Sequence, residues 1–396
     1  MPDLPPDLKP LVSAVIQRIL PKIIQTRRRL HQNPELSGEE AQTALLVAER
    51  LRTLNFDALR TEIAGHGVIG ILRGQTDGPM LALRADMDAL PIQETSGLPY
   101  ASCHAGVMHA CGHDGHTATL LGAAQVLSEL REHLPGPIKL IFQPAEETVG
   151  GADAMVAAGA LDGVEAIVAL HGWPSLEIGQ IGFRPGPMMA SADQFDLTLR
   201  GKGGHAAYPH LTVDPIIVGS QIVQAFQTLA SREISPQDSV VVTVTQFHAG
   251  TAYNIIPGEA QLKGTVRTLS SAVRAEMPAK MERIAAGICA AMRAEYAFTY
   301  THGTPVVVND ARVTSQIETV GRDLLGPDNV VFLETPTMGA EDFAFYLEHI
   351  PGAMFRLGVG TDVTALHTPT YNFSDGALPY GIGMLAHLAL QDGPRL

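Results

Sequence analysis

The segment from Met108 to His116 holds several side chains that commonly bind metals within a short stretch of sequence. It reads Met-His-Ala-Cys-Gly-His-Asp-Gly-His. Cys111 and His113 flank a glycine, so a thiolate and an imidazole can turn toward one cation. Taken alone, a Cys-x-His pair is more often a buried thiol beside an unrelated histidine. The additional histidines and the aspartate are hard to explain by packing, and the segment predicts a metal-binding loop.

Two adjacent carboxylates, Glu146 and Glu147, follow the apolar run Ile138–Phe142. Such a run is typical of a buried strand, and α/β proteins place their sites where such strands end. Neighbouring residues point in different directions, so one carboxylate can bind a metal while the other acts on water. A solvated pair of loop carboxylates is the alternative for this motif.

Further apolar runs also end in side chains of the metal-ligand type. A lone histidine at a strand end is more often structural. When Asp, Cys, Glu and His all follow strand ends on one side of a sheet, however, coincidence is a poor explanation. The runs and the residues that follow them are Met80–Arg84 with Asp86 and Asp88, Ala166–Leu170 with His171, and Met354–Val359 with His367.

The apolar runs alternate with segments of helical periodicity. Apolar residues at helical spacing predict helices over residues 11–29, 38–54 and 117–130. The first of these ends in the run Arg27–Arg29, and cations are favourable at a helix C-terminus. Continuous apolar strands between helices are typical of a sheet covered on both faces. We therefore expect an α/β fold.

The middle of the chain has a different pattern. Between residues 192 and 301 the predicted order of elements is β-α-β-β-α-β, which is the ferredoxin-like arrangement. The α/β pattern resumes after Pro305. We therefore expect a larger, discontinuous domain formed by residues 1–188 and 305–396, with an α+β domain of residues 189–304 inserted within it.

Composition limits the classes of partner and compartment. The formal net charge is −14, which disfavours nucleic acid and anionic membranes because no basic footprint is available. Cys103, Cys111 and Cys289 are too few for a disulfide framework and indicate a reducing compartment. The N-terminal residues lack the basic start of a signal peptide and the long apolar run of a membrane span. We expect a cytoplasmic protein whose partner is neither nucleic acid nor a membrane.

Short motifs in a consistent order resemble one enzyme family. They are LHQNPELS, RADMDALP, HACGHDGH, QPAEE, HGW, GGHAAYP, YNIIPG, GAEDFAFY and LHTP. Together they resemble the hippurate hydrolase and indole-acetyl-amino-acid hydrolase branch of the aminoacylase and glutamate-carboxypeptidase clan. The resemblance implies a mixed-sheet, metallopeptidase-type catalytic domain, with the inserted domain serving as a lid and dimerisation domain. It also implies a homodimer or a higher homo-oligomer.

The resemblance further implies a role for individual residues. It implies two divalent metal ions per subunit, with Glu146 as the general base. In the wider clan a ligand histidine stands at the position of Asp86, whereas in this branch Cys111 and His113 take over coordination and Asp88 orients a ligand. His205 would stabilise the oxyanion, in its own or the neighbouring subunit, and Asn254, Arg267 and Gly339 would contact substrate. The implied metal ligands are Cys111, His113, Glu147, His171 and His367.

The reaction that these residues imply is hydrolysis of the amide bond of an N-acyl amino acid. Zinc is the first choice of metal for Cys and His ligands, and manganese, cobalt and nickel also suit imidazole and carboxylate. A dipeptidase or carboxypeptidase of the same clan is one alternative, and a catalytically silent binding protein is another. A dinucleotide site at Gly65–Gly70 is disfavoured, since a strand-like run follows the G-x-G-x-x-G pattern where a helix is required.

Overall fold

The structure is a computed structural model that describes residues 8–148 and 150–391. The helices in chain order are α1 (Leu8–Gln32), α2 (Ala41–Thr53), α3 (His113–Glu129), α4 (Gly151–Ala157), α5 (Pro215–Thr228), α6 (Ser271–Met292), α7 (Ala311–Leu325), α8 (Ala344–Leu347) and α9 (Leu378–Leu390). The strands are β1 (Ala58–Ile63), β2 (Gly67–Leu72), β3 (Met80–Asp86), β4 (Ile138–Gln143), β5 (Val164–Trp173), β6 (Ile181–Phe183), β7 (Gly186–Met189), β8 (Ala192–Arg200), β9 (Gly204–His205), β10 (Val240–Ala249), β11 (Ile255–Ile256), β12 (Glu259–Thr268), β13 (Glu295–Thr304), β14 (Val307–Asn309), β15 (Val330–Phe332) and β16 (Gly352–Gly358).

The chain divides into two compact units, of which the second comprises Pro187–Val307 and Thr335–Glu341. The first unit contains an eight-stranded sheet in the order β1-β2-β4-β3-β5-β16-β6-β15. Strands β4, β3, β5 and β16 run parallel to one another, whereas β2 runs antiparallel to β4 and β6 to β16. The predicted α/β class with a mixed sheet is therefore confirmed.

The parallel strands bring their carboxyl ends to one edge of the sheet. Asp86, the last residue of β3, pairs in register with Gln143, the last residue of β4. His171 near the end of β5 pairs with Arg356 of β16. The segments that follow these strands therefore start from the same edge, as the strand-end argument predicted. His171 itself lies within β5 and not after it, because the strand extends to Trp173.

Helix α3 is buried on nearly every side, as its small and apolar residues allow. Leu120, Leu121, Ala123 and Ala124 are all inaccessible to solvent. The helix packs against α1 and α9, and its N-terminus carries the Cys111–His113 loop. Burial of so much apolar surface stabilises α3 in its place, since the hydrophobic contribution to stability grows with buried area. The Cys111–His113 loop is therefore attached to a rigid helix.

The three arginines near the end of α1 differ from one another in their exposure to solvent. The helix continues to Gln32, and its last turn contains Arg29 of this run together with His31. Arg28 and Arg29 are exposed, but Arg27 is fully buried. Helical spacing could have indicated this, because Ile23, Arg27 and Leu30 lie on one face.

The second unit contains a four-stranded antiparallel sheet in the order β10-β12-β8-β13. With α5 between β8 and β10 and α6 between β12 and β13, this is the predicted ferredoxin-like order of elements. The buried residues of β8 alternate along the strand, so one face packs on the helices. Asp214 begins α5 by accepting a hydrogen bond from the amide of Ile216, and Ser270 does the same for Val273 at α6.

One segment differs from the expected division at residues 189–304. Thr335–Glu341 groups with the second unit, although the sequence places it in the catalytic part. The reason is backbone pairing. The amide of Ala190 donates to the carbonyls of Thr337 and Gly339, at 3.0 and 2.9 Å. No helix within residues 8–148 and 150–391 is sufficiently long and apolar to cross a membrane.

Candidate metal centre

The Cys111–His113 loop turns at Gly112, just before the first residue of α3. Gly112 has a φ of +90°, and a Cβ there would stand 2.9 Å from the Tyr371 hydroxyl. A glycine is therefore required both by the left-handed backbone and by the close approach of Tyr371. This turn directs the Cys111 and His113 side chains into one buried region.

His171 meets the loop from strand β5. Its Nε2 lies 3.5 Å from the Cys111 sulfur, and its Nδ1 lies 2.8 Å from the carbonyl oxygen of Gly172. A carbonyl can only accept, so Nδ1 carries the proton and Nε2 presents a lone pair. Burial lowers the pKa of His171 well below its usual value, which favours the neutral imidazole. Ligand atoms of Cys111, His113 and His171 all lie within 4.8 Å of one another.

Glu147 lies between two of the predicted histidines. Its Oε1 is 3.9 Å from His113 Nε2 and 3.4 Å from His367 Nε2. Cys111, Glu147 and His367 form a second group of ligand atoms within 4.8 Å. The structure therefore brings together every side chain predicted as a metal ligand, and the two groups share Cys111.

The backbone around these residues adopts unusual conformations. Ala145 and His367 have φ values of 55° and 60°, which non-glycine residues rarely adopt. The amide of His367 donates to the carbonyl of Ala110 at 2.8 Å, so its segment is bonded directly to the Cys111 loop. Left-handed non-glycine residues cost energy and are frequent at functional sites.

Two buried polar atoms of this cluster have no hydrogen-bond partner. They are His113 Nε2 and Glu147 Oε1, the atoms that face each other. A buried polar atom without a partner is costly, and native folds rarely leave one unexplained. Thiol, imidazole and carboxylate are together a suitable donor set for a divalent transition metal. The residues present therefore fit the metal ions that the sequence implies.

Asp88 orients two members of the cluster. Its Oδ1 lies 3.2 Å from His113 Nδ1, and its Oδ2 accepts from the amide of Glu147 at 3.0 Å and from the Ser37 hydroxyl at 2.6 Å. Burial by itself would raise the pKa of Asp88, but its hydrogen bonds, above all with His113, outweigh this and lower it. The ionised carboxylate keeps the proton of His113 on Nδ1, which leaves Nε2 as a ligand atom.

Asp86 has partners on both oxygens. Oδ1 lies 2.7 Å from His116 Nδ1, and Oδ2 accepts from Arg84 at 2.8 Å. His116 Nε2 in turn accepts from the amide of Gly172 at 2.8 Å, so His116 connects the ends of β3 and β5. His116 is not among the predicted ligands, and its position in the Met108–His116 segment was the available signal for this supporting role.

Glu146 borders the same cluster. With His113 and Glu147 it forms another group of potential ligand atoms within 4.8 Å. Its Oε1 accepts from the amide of Asp342 at 3.4 Å. Asp342 is itself held by the buried Arg84 at 2.9 Å and by Gln143 at 2.8 Å. A carboxylate placed beside the ligand cluster is suitable for proton transfer.

The remaining predicted residues lie in the second unit. His205 and Asn254 are exposed and adjacent, since His205 pairs with Ile255 and the amide of Ala206 donates to the Asn254 carbonyl at 3.0 Å. The amide of Ala207 donates to His205 Nδ1 at 3.1 Å, so Nε2 carries the proton. Arg267 is half-buried on β12, and Gly339 lies in the Thr335–Glu341 segment.

Comparison with known proteins identifies relatives over most of the chain. N-acetylcysteine deacetylase of Bacillus subtilis is 42% identical over 371 residues, covering 93% of this chain and 96% of the relative. N-acyl-L-amino acid amidohydrolase of Geobacillus stearothermophilus is 46% identical over 299 residues, covering 75% of this chain and 80% of the relative. The crystal structure of the YXEP protein of Bacillus subtilis, described as a dinuclear metal-binding peptidase from the M20 family, has a TM-score of 0.85 and 36% identity, and the match covers 94% of this chain and 98% of that one.

A family profile gives the same result. The profile of peptidase family M20/M25/M40 matches residues 82–391, which include most of β3, all of β4, β5 and β16, and the whole ligand cluster. This chain therefore belongs to peptidase family M20/M25/M40 and is a hydrolase.

Proposed function

We propose that this chain hydrolyses the amide bond of N-acyl amino acids and releases a carboxylic acid and a free amino acid. One observation carries the proposal: the donor atoms of five side chains form two groups that share Cys111. Two such groups are consistent with a pair of divalent metal ions. The names of the deacetylase and amidohydrolase relatives support the substrate class. The proposed ligands are Cys111, His113, Glu147, His171 and His367.

The metal pair would supply Lewis acidity, which polarises the scissile carbonyl and makes water a better nucleophile at neutral pH. Zinc remains our first choice because a thiolate and several imidazoles are its usual ligands, and manganese, cobalt and nickel follow. The protein's part is to hold the ligands in their correct protonation states, as Asp88 does for His113.

Glu146 is the proposed general base. It borders the ligand cluster, and its carboxylate can take the proton of the attacking water. As the tetrahedral intermediate collapses, the same group returns this proton to the leaving amine. Glu147, the adjacent carboxylate, faces His113 and His367 and serves as a ligand.

His205 is proposed to stabilise the oxyanion, in its own or the neighbouring subunit. Its proton lies on Nε2, so the exposed ring can donate to a developing negative charge. A donor of this type contributes about 3–4 kcal/mol in comparable enzymes. Arg267 suits the free carboxylate of the amino acid, since its guanidinium is planar and bidentate. We propose Asn254 and Gly339 as further substrate contacts.

A homodimer through the second unit is part of the proposal. Large apolar side chains are exposed there, and Tyr253 is completely open to solvent at 109% of its reference area. An exposed apolar surface of this kind commonly marks an interface. The other large apolar residues exposed in the described part of this unit are Tyr208, Leu211, Ile216, Ile217, Val241, Phe247 and Ile255. Free Cys103, Cys111 and Cys289 support a reducing compartment, and we propose the cytoplasm.

The experiment that tests the function is a substrate screen of the metal-loaded protein. Hippurate, N-acetyl and indole-acetyl amino acids are compared with dipeptides, and release of free amino acid is measured. We expect turnover of acyl amino acids, as the resemblance to the hippurate and indole-acetyl-amino-acid hydrolases implies, and the screen identifies the preferred acyl group. Turnover of dipeptides alone would favour the peptidase alternative. Binding of either class without any product would favour a silent homologue.

A further inference from the structure

Helix α1 buries Arg27 completely, although this residue stands in the cationic run Arg27–Arg29. Arg28 and Arg29 remain exposed. A guanidinium that leaves water is costly unless charged or hydrogen-bonding groups surround it. The groups that contact Arg27 therefore show how its buried charge is stabilised and which segments it connects.

Arg27 contacts groups from three other parts of the first unit. Its Nε lies 2.8 Å from Asp114 Oδ2 at the start of α3. Its Nη2 donates to the Asn372 side-chain oxygen at 2.6 Å, and its Nη1 lies 3.5 Å from Asp375 Oδ1. The Tyr100 ring lies 5.2 Å from the guanidinium carbon. A planar guanidinium group can interact with several partners in different directions at once.

Asp114 is the anionic partner of this arrangement. Its side chain is completely buried, and Oδ2 also lies 2.8 Å from His31 Nδ1. Asp114 directly follows His113 and lies in the first turn of α3, so its contacts with Arg27 and His31 are made next to a proposed metal ligand.

The partners Asn372 and Asp375 belong to the segment that carries His367. This segment touches the Cys111 loop in two places. The amide of His367 donates to Ala110, and Tyr371 covers Gly112. Arg27 holds the far end of the same segment through Asn372. One buried guanidinium therefore joins the two segments that bring Cys111, His113 and His367 together.

We propose that Arg27 is a positioning residue for the metal centre, which holds the Asp114 end of the Cys111–His113 loop against the segment of residues 367–375. This inference rests on the proposed function, in which those segments carry metal ligands. Arg27 lies outside the residues that the family profile matches. Its side chain acts through Asp114 and Asn372, and it also contacts His31, Asp375 and Tyr100.

Arg28 provides a matched control within the same cluster. It is the next residue of α1, its Nε donates to Asp375 Oδ2 at 2.9 Å, and its guanidinium lies 4.6 Å from the Tyr100 ring. Its side chain is half-exposed, however, and its hydrogen bond goes to Asp375 and not to Asp114. An exposed ion pair contributes little. Arg28→Ala therefore removes a charge from the same helix and leaves the buried connection intact.

The test is titration of the metal-free, full-length protein with Zn²⁺ against a competing chelator. Arg27→Lys keeps the positive charge but cannot hold Asp114 and Asn372 with one planar group. We expect its Zn²⁺ affinity to fall by about 10- to 100-fold, the usual effect of losing a residue that supports metal ligands. Arg28→Ala should keep the wild-type affinity. Circular dichroism establishes that each variant is folded.

Asn372→Ala extends the test if Arg27→Lys fails to fold. It removes one hydrogen bond from Arg27 and leaves the contact with Asp114, so we expect weaker Zn²⁺ binding in the same direction. Wild-type affinity in folded Asn372→Ala and Arg27→Lys would overturn the proposal, as would an equal loss in Arg28→Ala. The titration contains no substrate. Wild-type protein that binds Zn²⁺ but hydrolyses no acyl amino acid would therefore contradict the proposed function alone.

Discussion

The sulfur of Cys111 lies 3.5 Å from Nε2 of His171, and Nδ1 of this histidine is engaged with the carbonyl of Gly172. Burial raises the pKa of the Cys111 thiol well above its usual value. Without a metal ion, the Cys111 thiol therefore keeps its proton, which can be shared between its sulfur and Nε2 of His171. A cation that binds both atoms must displace that proton, because the thiolate is the ligand form.

Cys111→Ala should weaken metal binding by more than about 100-fold, since a lost ligand costs more than a lost supporting partner. Bound metal per chain is measured by elemental analysis after dialysis. Cys103→Ala is the control, because Cys103 is also a free cysteine but is exposed. Equal metal content in the two variants would remove Cys111 from the ligand set.

Glu146→Gln should lower kcat by about 10²- to 10⁴-fold, the usual contribution of a general base. Its metal content should stay at the wild-type level, because Glu146 is not a proposed ligand. The neighbouring change Glu147→Gln is the matched comparison, and it should lose metal. Both are measured by steady-state kinetics and elemental analysis. A kcat above about a tenth of the wild-type value would assign the base to another residue.

A mixture of His205→Ala and Glu146→Gln chains should regain activity if the dimer shares its sites. Unfolding and refolding the mixture then produces heterodimers in which one site carries both changes and the other carries neither. With random pairing and independent sites, activity should reach about one quarter of the wild-type value. The measurement is turnover before and after refolding.

The control for this experiment is each variant refolded alone, which should show no gain. Native mass spectrometry establishes that heterodimers are present in the mixture. If confirmed heterodimers are no more active than the parents, His205 acts within its own subunit, since every site then carries one change.

His31→Gln should destabilise the protein more at pH 5.5 than at pH 9. Burial would lower the pKa of His31, but Asp114 and Glu94 outweigh burial and the nearby Arg27, and the pKa is raised. His109 also faces this ring, at 6.5 Å between centroids. Because the folded pKa exceeds the unfolded value of about 6.5, protonated His31 stabilises the fold below that pH. The contribution is lost as pH rises through the folded pKa.

The measurement for His31→Gln is the urea midpoint of both proteins at each pH, with a chelator present to keep metal out of the comparison. The difference between the urea midpoints of the wild type and the variant at each pH removes the effect of the other titrating groups, which both proteins share. An equal difference at both pH values would show that the charge of His31 contributes nothing to stability.

Much of the first unit could be predicted, because the sequence patterns that indicate its strands and turns involve neighbouring residues. The apolar runs at Met80–Arg84 and Ile138–Phe142 became β3 and β4 within two residues of the expected bounds. Strand ends, the glycine turn at Gly112 and the adjacent carboxylates are also properties of neighbouring residues. Three-residue strands such as β6 and β15 were not predicted, since so short a segment shows no periodicity.

The sequence by itself determined the fold class and placed the proposed metal ligands at or after strand ends on one edge of the sheet, because hydrophobic pattern and turn chemistry act over a few residues. Only the tertiary structure decided that Arg27 is buried against Asp114 and Asn372, that Asp88 directs the proton of His113, and that the Thr335–Glu341 segment pairs with the second unit. These arrangements depend on partners far apart in the chain. Whether a buried charge or donor is tolerated is decided by which groups packing brings within a few ångströms.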